Sequence, residues 1–210
     1  MSLADSGVRC VGLLLAAGRG RRFDASGLQD KLLQSVGGSA PVAAQACSRL
    51  RAGTDAVLAV VRPDAPGALH QALGQAQAKV VVCPQADQGM GHSLAHAMRC
   101  ARDLWPALQA VLVMPADMPW VAESSVKTLA ATVLEHPEAI IVPVTAAGHR
   151  GHPVAFPAQH FSAIETMQGD EGARSLLARH PVHRIVLDDP GIVRDIDTPA
   201  DIEPFRMPPP

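Results

Sequence analysis

Short apolar runs rich in Val, Leu and Ile alternate along the chain with alanine-rich stretches of helical period. The runs "VRCVGLLLA", "DAVLAVV", "KVVVC" and "AVLVM" read as strands. Between them, "PVAAQACSRLRA", "GALHQALGQAQA" and "GHSLAHAMRCARDL" read as helices, the last with Leu94, Met98 and Ala101 on one face. "ESSVKTLAATVLEH" is a further helix, stopped by Pro137. Beyond it the runs shorten. "AIIVPV" and "HPVAF" read as strands, "EGARSLLARH" as a helix, and "HRIVL" and "GIVRDID" as the last strands.

Strands separated by helices predict βαβ units and a mostly parallel sheet. The leading strands are apolar on both faces, as a sheet covered by helices on each side requires. The expected fold is therefore an α/β Rossmann-like three-layer sandwich, with some antiparallel pairing in the C-terminal half. No linker or internal repeat divides the sequence, so one domain over residues 1–205 is expected, and residues 206–210 are expected to form a disordered tail.

Composition sharpens this. Of 210 residues, 48% are hydrophobic but only 3% aromatic, with no tyrosine, so the core must be built from Ala, Val, Leu and Ile. A net charge of −2 gives no global basic field, which argues against a nucleic-acid partner. No apolar run reaches the roughly 20 residues of a membrane span, and the first ten residues lack a signal-peptide pattern. A cytoplasmic protein that does not engage a membrane is expected. Cys10, Cys47, Cys83 and Cys100 form no CxxC pair and read as buried or incidental thiols.

In open α/β sheets, ligands sit beyond the carboxyl ends of the strands. Four segments fall there. In "LLLAAGRGRRF", Gly18 and Gly20 allow a backbone nest for an anion, and Arg19, Arg21, Arg22 and the later Lys31 add charge. Neither a P-loop GK[ST] nor the third glycine of a dinucleotide fingerprint follows. Arg22 is expected to be the functional arginine, with Arg19 and Arg21 facing solvent. In "MPADMPWV", Asp117 lies between two prolines at a strand end, placed either to bind a hard cation or to serve as a turn or cap residue. In "VRDIDTPADI", Asp195 and Asp197 alternate and would share one face of a strand, while Asp197 and Thr198 could also cap the helix that Pro199 begins. In "PQADQGMGHSL", Gly89 and Gly91 open a helix with Ser93 in its first turn, which suits close approach by a ligand. His92 and His96 have the i, i+4 spacing of a zinc helix, but without a neighbouring Glu or a third ligand a helix-start role fits better.

Taken in order, "LAAGRGRR…K", "PQADQGMGHSL", "PADMPWV", "GHRGHPVAF", "GDEGAR" and "DIDTPAD" resemble the MobA-like nucleotidyltransferases of molybdenum cofactor synthesis, and most closely the MocA-like cytidylyltransferases. The resemblance runs from about Val11 to Asp201. It implies transfer of CMP from CTP to the terminal phosphate of molybdopterin, with release of pyrophosphate. It also implies Mg²⁺, with Mn²⁺ as the alternative ion, and a molybdenum hydroxylase as a client of the product. By motif, Leu15, Ala16, Ala17, Gly18 and Gly20 would line the nucleotide with Gly89 and Ser93. Arg22 and Lys31 would hold phosphates, and Asp117 and Asp197 would ligate the metal. Arg150, His152, Asp170 and Arg174 would lie on the pterin side. Related guanylyltransferases tend to carry a glycine where Ala17 stands, so the added methyl is expected to favour a pyrimidine. One departure is the spacing: "FDASGLQD" puts Lys31 several residues further from Arg22 than the pattern expects, and Asp24 stands where glycine is common. A sugar- or polyol-phosphate acceptor, an oxidoreductase and a non-catalytic cofactor-insertion chaperone are the competing readings.

Overall fold

A computed structural model describes residues 7–24, 26, 29–37, 40–170 and 172–202. The expected tail at 206–210 lies outside the described residues, as do positions 25, 27 and 28 of the long loop. Among the described residues, seven strands form one sheet: β1 (Cys10–Ala16), β2 (Ala56–Val61), β3 (Ala78–Val82), β4 (Ala110–Pro115), β5 (Ile140–Val144), β6 (Val154–Pro157) and β7 (Val182–Val186). Their order is β3-β2-β1-β4-β6-β5-β7. All neighbouring pairs are parallel except β6, which runs antiparallel to both β4 and β5.

Among the described residues, six α-helices accompany the sheet: α1 (Val42–Arg51), α2 (Gly67–Gln75), α3 (Met90–Leu104), α4 (Glu123–Glu135), α5 (Phe161–Glu165) and α6 (Arg174–Arg179). Strand alternation lets β1 feed two cores at once. Cys10, Leu14 and Ala16 face α1, α2 and α4, packing with Leu50, Leu73 and Leu129. Val11 and Leu13 face the other layer, with Leu94 and Met98 of α3, Phe161 of α5 and Leu176 of α6. Aliphatic side chains thus fill both cores, as the composition requires. All four cysteines are free. Burial pushes the Cys10 thiol up to about 12 and Cys47 up to about 11, so both remain protonated and inert.

The C-terminal half departs from the expected pattern in three places. "GIVRDID" is not a strand: Pro190–Val193 form a 3-10 turn and the chain then crosses the sheet end irregularly. With β7 already at the sheet edge, the segment is held through other contacts, including Ile196 N–H donating to the Asp117 carbonyl at 3.0 Å. Helix α6 covers only 174–179 of the predicted stretch, and α5 was not predicted because five residues carry too little periodicity to register.

Two topological facts position the site. Strand order reverses at β1 and β4, whose carboxyl ends lie side by side with Leu15 opposite Pro115, and ligand crevices form at such switch points. Because β6 is antiparallel to β4, it brings its amino end, and the "GHRGH" segment before it, to that same edge.

Candidate functional site

A cavity of about 1010 Å³ opens at the carboxyl ends of β1 and β4. It is lined by Leu15, Ala17, Gly18, Gly20, Arg22, Lys31, Gly89, Ser93, Asp117, Arg150, His152, Asp170, Arg174 and Asp197, which are all of the expected site residues except Ala16. Alternation along β1 turns the Ala16 side chain into the core, so the expectation that it lines a ligand is corrected.

The loop after β1 is built by ion pairs. The Arg19 guanidinium donates to both carboxylate oxygens of Asp87, each at 2.7 Å, and to Asp64 at 2.9 Å. Those bonds hold the Asp64 and Asp87 carboxyls below their ordinary range. Arg62, just beyond β2, donates to the Gly18 carbonyl at 3.2 Å and to Asp30 at 3.1 Å. Arg19 is exposed, as expected, and its ion pairs also tie the loop to the end of β2 and the segment before α3. Asp24, the departure from the usual glycine, accepts from the Ser26 and Gln29 amides at 2.9 and 2.7 Å and organises the longer loop. Asp30 caps the 3-10 turn Lys31–Leu33, accepting from Leu32 N–H at 3.0 Å. Lys31 still lies at the cavity despite the longer spacing.

Asp117, Asp195 and Asp197 form the acidic side, with one oxygen of each within 4.8 Å of the others. Asp195 and Asp197 share this side although they do not lie on a strand. Desolvation first, then the charges of Asp117 and Asp197, push the Asp195 carboxyl above its ordinary range. Lys31 lies between the other two: Nζ is 2.5 Å from Asp117 Oδ2, 3.5 Å from Asp197 Oδ1 and 2.8 Å from the Ile196 carbonyl. Arg22 donates to Asp197 Oδ2 at 2.5 Å from a position that is 79% exposed. Among the described residues, buried Asp117 Oδ1 has no hydrogen-bond partner. Opposed ligands of an octahedral Mg²⁺ stand about 4.2 Å apart. Three converging carboxylates and an orphaned buried oxygen therefore fit a hard divalent ion.

Asp189, which pattern reading did not single out, anchors the acidic segment. Its buried carboxylate accepts from Ala122 N–H at 2.8 Å, Ser125 Oγ at 2.7 Å and Gly191 N–H at 2.9 Å, joining the 190–197 segment to the start of α4. Arg194 stacks on Trp120, 4.2 Å from the ring centroid. Asp195 had a readable signal, its alternation with Asp197. Asp189 had only the local Asp-Pro-Gly turn pattern, because its two other partners lie 64 and 67 positions away.

Opposite the acidic side, the 168–170 segment closes onto the start of α3. Gly91 N–H donates to the Gly169 carbonyl at 2.7 Å, and Gly169 N–H donates to His92 Nδ1 at 3.2 Å. Met90 N–H points to Asp170 Oδ1 at 3.4 Å. Asp170 thus caps α3 from across the fold. Gly89 and Gly91 admit this segment of the chain itself: a Cβ on Gly89 would lie 2.4 Å from the Gly169 carbonyl, and one on Gly91 2.6 Å from the Gln168 oxygen. The helix-start role expected for His92 is what the structure shows. On the remaining wall, burial holds the His152 imidazole below its ordinary range, and its Nδ1 lies 3.5 Å from the Val113 carbonyl. A neutral imidazole therefore borders the carboxylates.

No helix is long and apolar enough to cross a membrane among the described residues. The chain is 31% identical over 207 residues to the purine catabolism protein PucB of Bacillus subtilis, covering 93% of this chain and 95% of that one. It is similar in structure to Rv0371c of Mycobacterium tuberculosis, at 26% identity and a TM-score of 0.77 over 93% of this chain and 97% of that one. A manganese complex of Rv0371c matches at 25% identity and a TM-score of 0.76 over 95% and 98%. Residues 12–185, from the first core strand through nearly all of β7, match the MobA-like NTP transferase domain. That match covers well over half of the chain, and the chain belongs to the MobA-like NTP transferase family.

Proposed function

We propose that this nucleotidyltransferase moves CMP from CTP to the terminal phosphate of molybdopterin. One observation carries the reading: a single cavity is lined by the cationic glycine loop, by three carboxylates suited to a divalent ion and by the Arg150–His152 and Asp170–Arg174 walls. The triphosphate lies along the loop after β1, where Gly18 and Gly20 leave backbone amides accessible and Arg22 supplies mobile charge. Ala17 narrows the base side and favours a pyrimidine. Arg150 and Arg174 take the acceptor's phosphate, with His152 and Asp170 beside the pterin.

A phosphate oxygen of the acceptor attacks the α-phosphorus of CTP in line. The bond from that phosphorus to the bridging α,β-oxygen breaks, and pyrophosphate leaves with the electron pair. The nucleophile is already anionic near neutral pH, so no side chain has to remove a proton. The chain's contribution is positioning and charge neutralisation. Asp117, Asp195 and Asp197 are the residues that would hold a divalent ion, Mg²⁺ or Mn²⁺. When bound, that ion supplies Lewis-acid polarisation of the reacting phosphate. The manganese complex of Rv0371c supports that assignment, and a relative in purine catabolism fits a product delivered to a molybdenum hydroxylase.

The test is product analysis by mass spectrometry after incubation of the full chain with molybdopterin, CTP and Mg²⁺. The expected product is the cytosine dinucleotide of the pterin. Binding of that dinucleotide without its formation by the wild-type chain would point to the chaperone reading. Formation of a nucleoside-diphosphate sugar in its place would point to the other acceptor class.

A further inference from the structure

Lys31 stands where two functions compete. Its ammonium contacts Asp117 at 2.5 Å and Asp197 at 3.5 Å, and its side chain is only 12% exposed. A monovalent cation thus already pairs with two of the three carboxylates that suit a divalent ion. A cation this enclosed is screened far less than Arg22, whose exposed pairing with Asp197 adds little. The stem of Lys31 runs along the glycine loop: an ideal Cβ at Gly20 would meet Lys31 Cγ at 3.4 Å, Cδ at 3.7 Å and Cε at 4.0 Å. Its base is fixed, because the neighbouring Asp30 caps the turn that carries it and pairs with Arg62. Rotation about the side-chain bonds therefore sweeps the ammonium between two places, the carboxylates and the anion cradle of the loop.

We propose that Lys31 is a built-in counter-cation that exchanges with the divalent ion. It holds the carboxylates together until metal and triphosphate arrive together, then moves to the phosphates. The inference rests on the nucleotidyltransferase reading above. Free metal must displace an ammonium and leave it without an anionic partner. Metal arriving with a triphosphate offers that ammonium a new one. Lys31 thus couples the two ligands: the triphosphate tightens metal binding, and by linkage the metal tightens triphosphate binding by the same factor. It also explains how the carboxylates, one of them bearing an unpartnered buried oxygen, stay together in the ligand-free protein. Lys31 acts here as a positioning residue, and the prediction has an unusual sign: its removal improves binding of free metal.

The experiment measures Mn²⁺ binding by electron paramagnetic resonance on the full-length wild type, Lys31→Met and Lys31→Arg, with and without CTP. Without CTP, Lys31→Met is expected to bind Mn²⁺ at least about tenfold more tightly than wild type, and Lys31→Arg to resemble wild type. CTP is expected to tighten Mn²⁺ binding about tenfold or more in wild type and by far less in Lys31→Met. Should Lys31→Met be too unstable for titration, thermal unfolding provides the second readout: Mn²⁺ raises its Tm more than that of wild type. Equal or weaker Mn²⁺ binding by Lys31→Met, with wild type still binding Mn²⁺ and CTP, overturns the exchange and leaves the nucleotidyltransferase reading standing. Absence of Mn²⁺ binding by every form, with CTP present, overturns both.

Discussion

The loop after β1 and the segment before α3 both carry glycines, and both line the same cavity. An ideal Cβ at Gly18 meets nothing within 4 Å, whereas one at Gly89 falls 2.4 Å from the Gly169 carbonyl and 2.7 Å from Asp170 Oδ1. Gly18 leaves its backbone open toward the cavity. Gly89 and Gly91 leave theirs open toward the chain itself, so that the 168–170 segment can close on the amino end of α3. The same residue type at the same sheet edge thus leaves open space on one side and serves internal packing on the other. Close approach by a ligand is a sufficient reason for a glycine at a strand end, but only the packing around it shows whether it is the operative one.

That contrast breaks most visibly at Gly89. With φ at +116° and backbone atoms inside contact distance, Gly89→Ala strains the chain and displaces the 168–170 segment. The expected loss is about 3 kcal/mol or more in urea unfolding, the upper range for a single substitution. Gly18→Ala gives the opposite profile. Its stability should remain within about 0.5 kcal/mol of wild type, while CTP affinity measured calorimetrically falls about tenfold. A Gly18→Ala protein that is as damaged as Gly89→Ala would erase the distinction.

Asp170→Ala sharpens it from the other partner. Loss of a cap to Met90 N–H costs about 1 kcal/mol, readable as faster amide exchange in the first turn of α3. A smaller effect concerns His160 and His180, which flank the α5–α6 stretch carrying the segment, with ring centroids 4.6 Å apart. Burial, and then the charge of His180, holds the His160 imidazole below its ordinary range. The folded protein therefore takes up this proton less readily than the unfolded chain. Its contribution is fully present above a pH of about 6.5 and is lost as pH falls through the lower folded value. His160→Phe should flatten that acid-side slope in chemical unfolding, whereas an unchanged slope would assign it to other groups.

The physics of legibility follows the same division. Strands β1 to β4 were readable because each is a continuous apolar run flanked by a helix of clear period, and Asp117 was readable from its place at a strand end. The segment 191–197 reads as a strand but is not one, because alternation is also found in irregular chain held by contacts such as those to Asp189 and the Asp117 carbonyl. The exposure of Arg19 is legible in the sequence, but its pairing is not, because its partners Asp64 and Asp87 are 45 and 68 positions away. Contacts of that range leave no local pattern in sequence. The capping role of Asp170 is hidden for the same reason, its partner Met90 lying 80 positions earlier.

The central claim is that one cavity joins a triphosphate loop to metal-binding carboxylates for nucleotidyl transfer. Pyrophosphate release measured with molybdopterin, Mg²⁺ and each of the four ribonucleoside triphosphates, for wild type and Asp117→Ala, tests it most directly. The account predicts release by the wild type with a preference for CTP, and a loss of about 10³-fold or more in Asp117→Ala while its folded spectrum is kept. No release with any triphosphate, or unaltered release by Asp117→Ala, would contradict it.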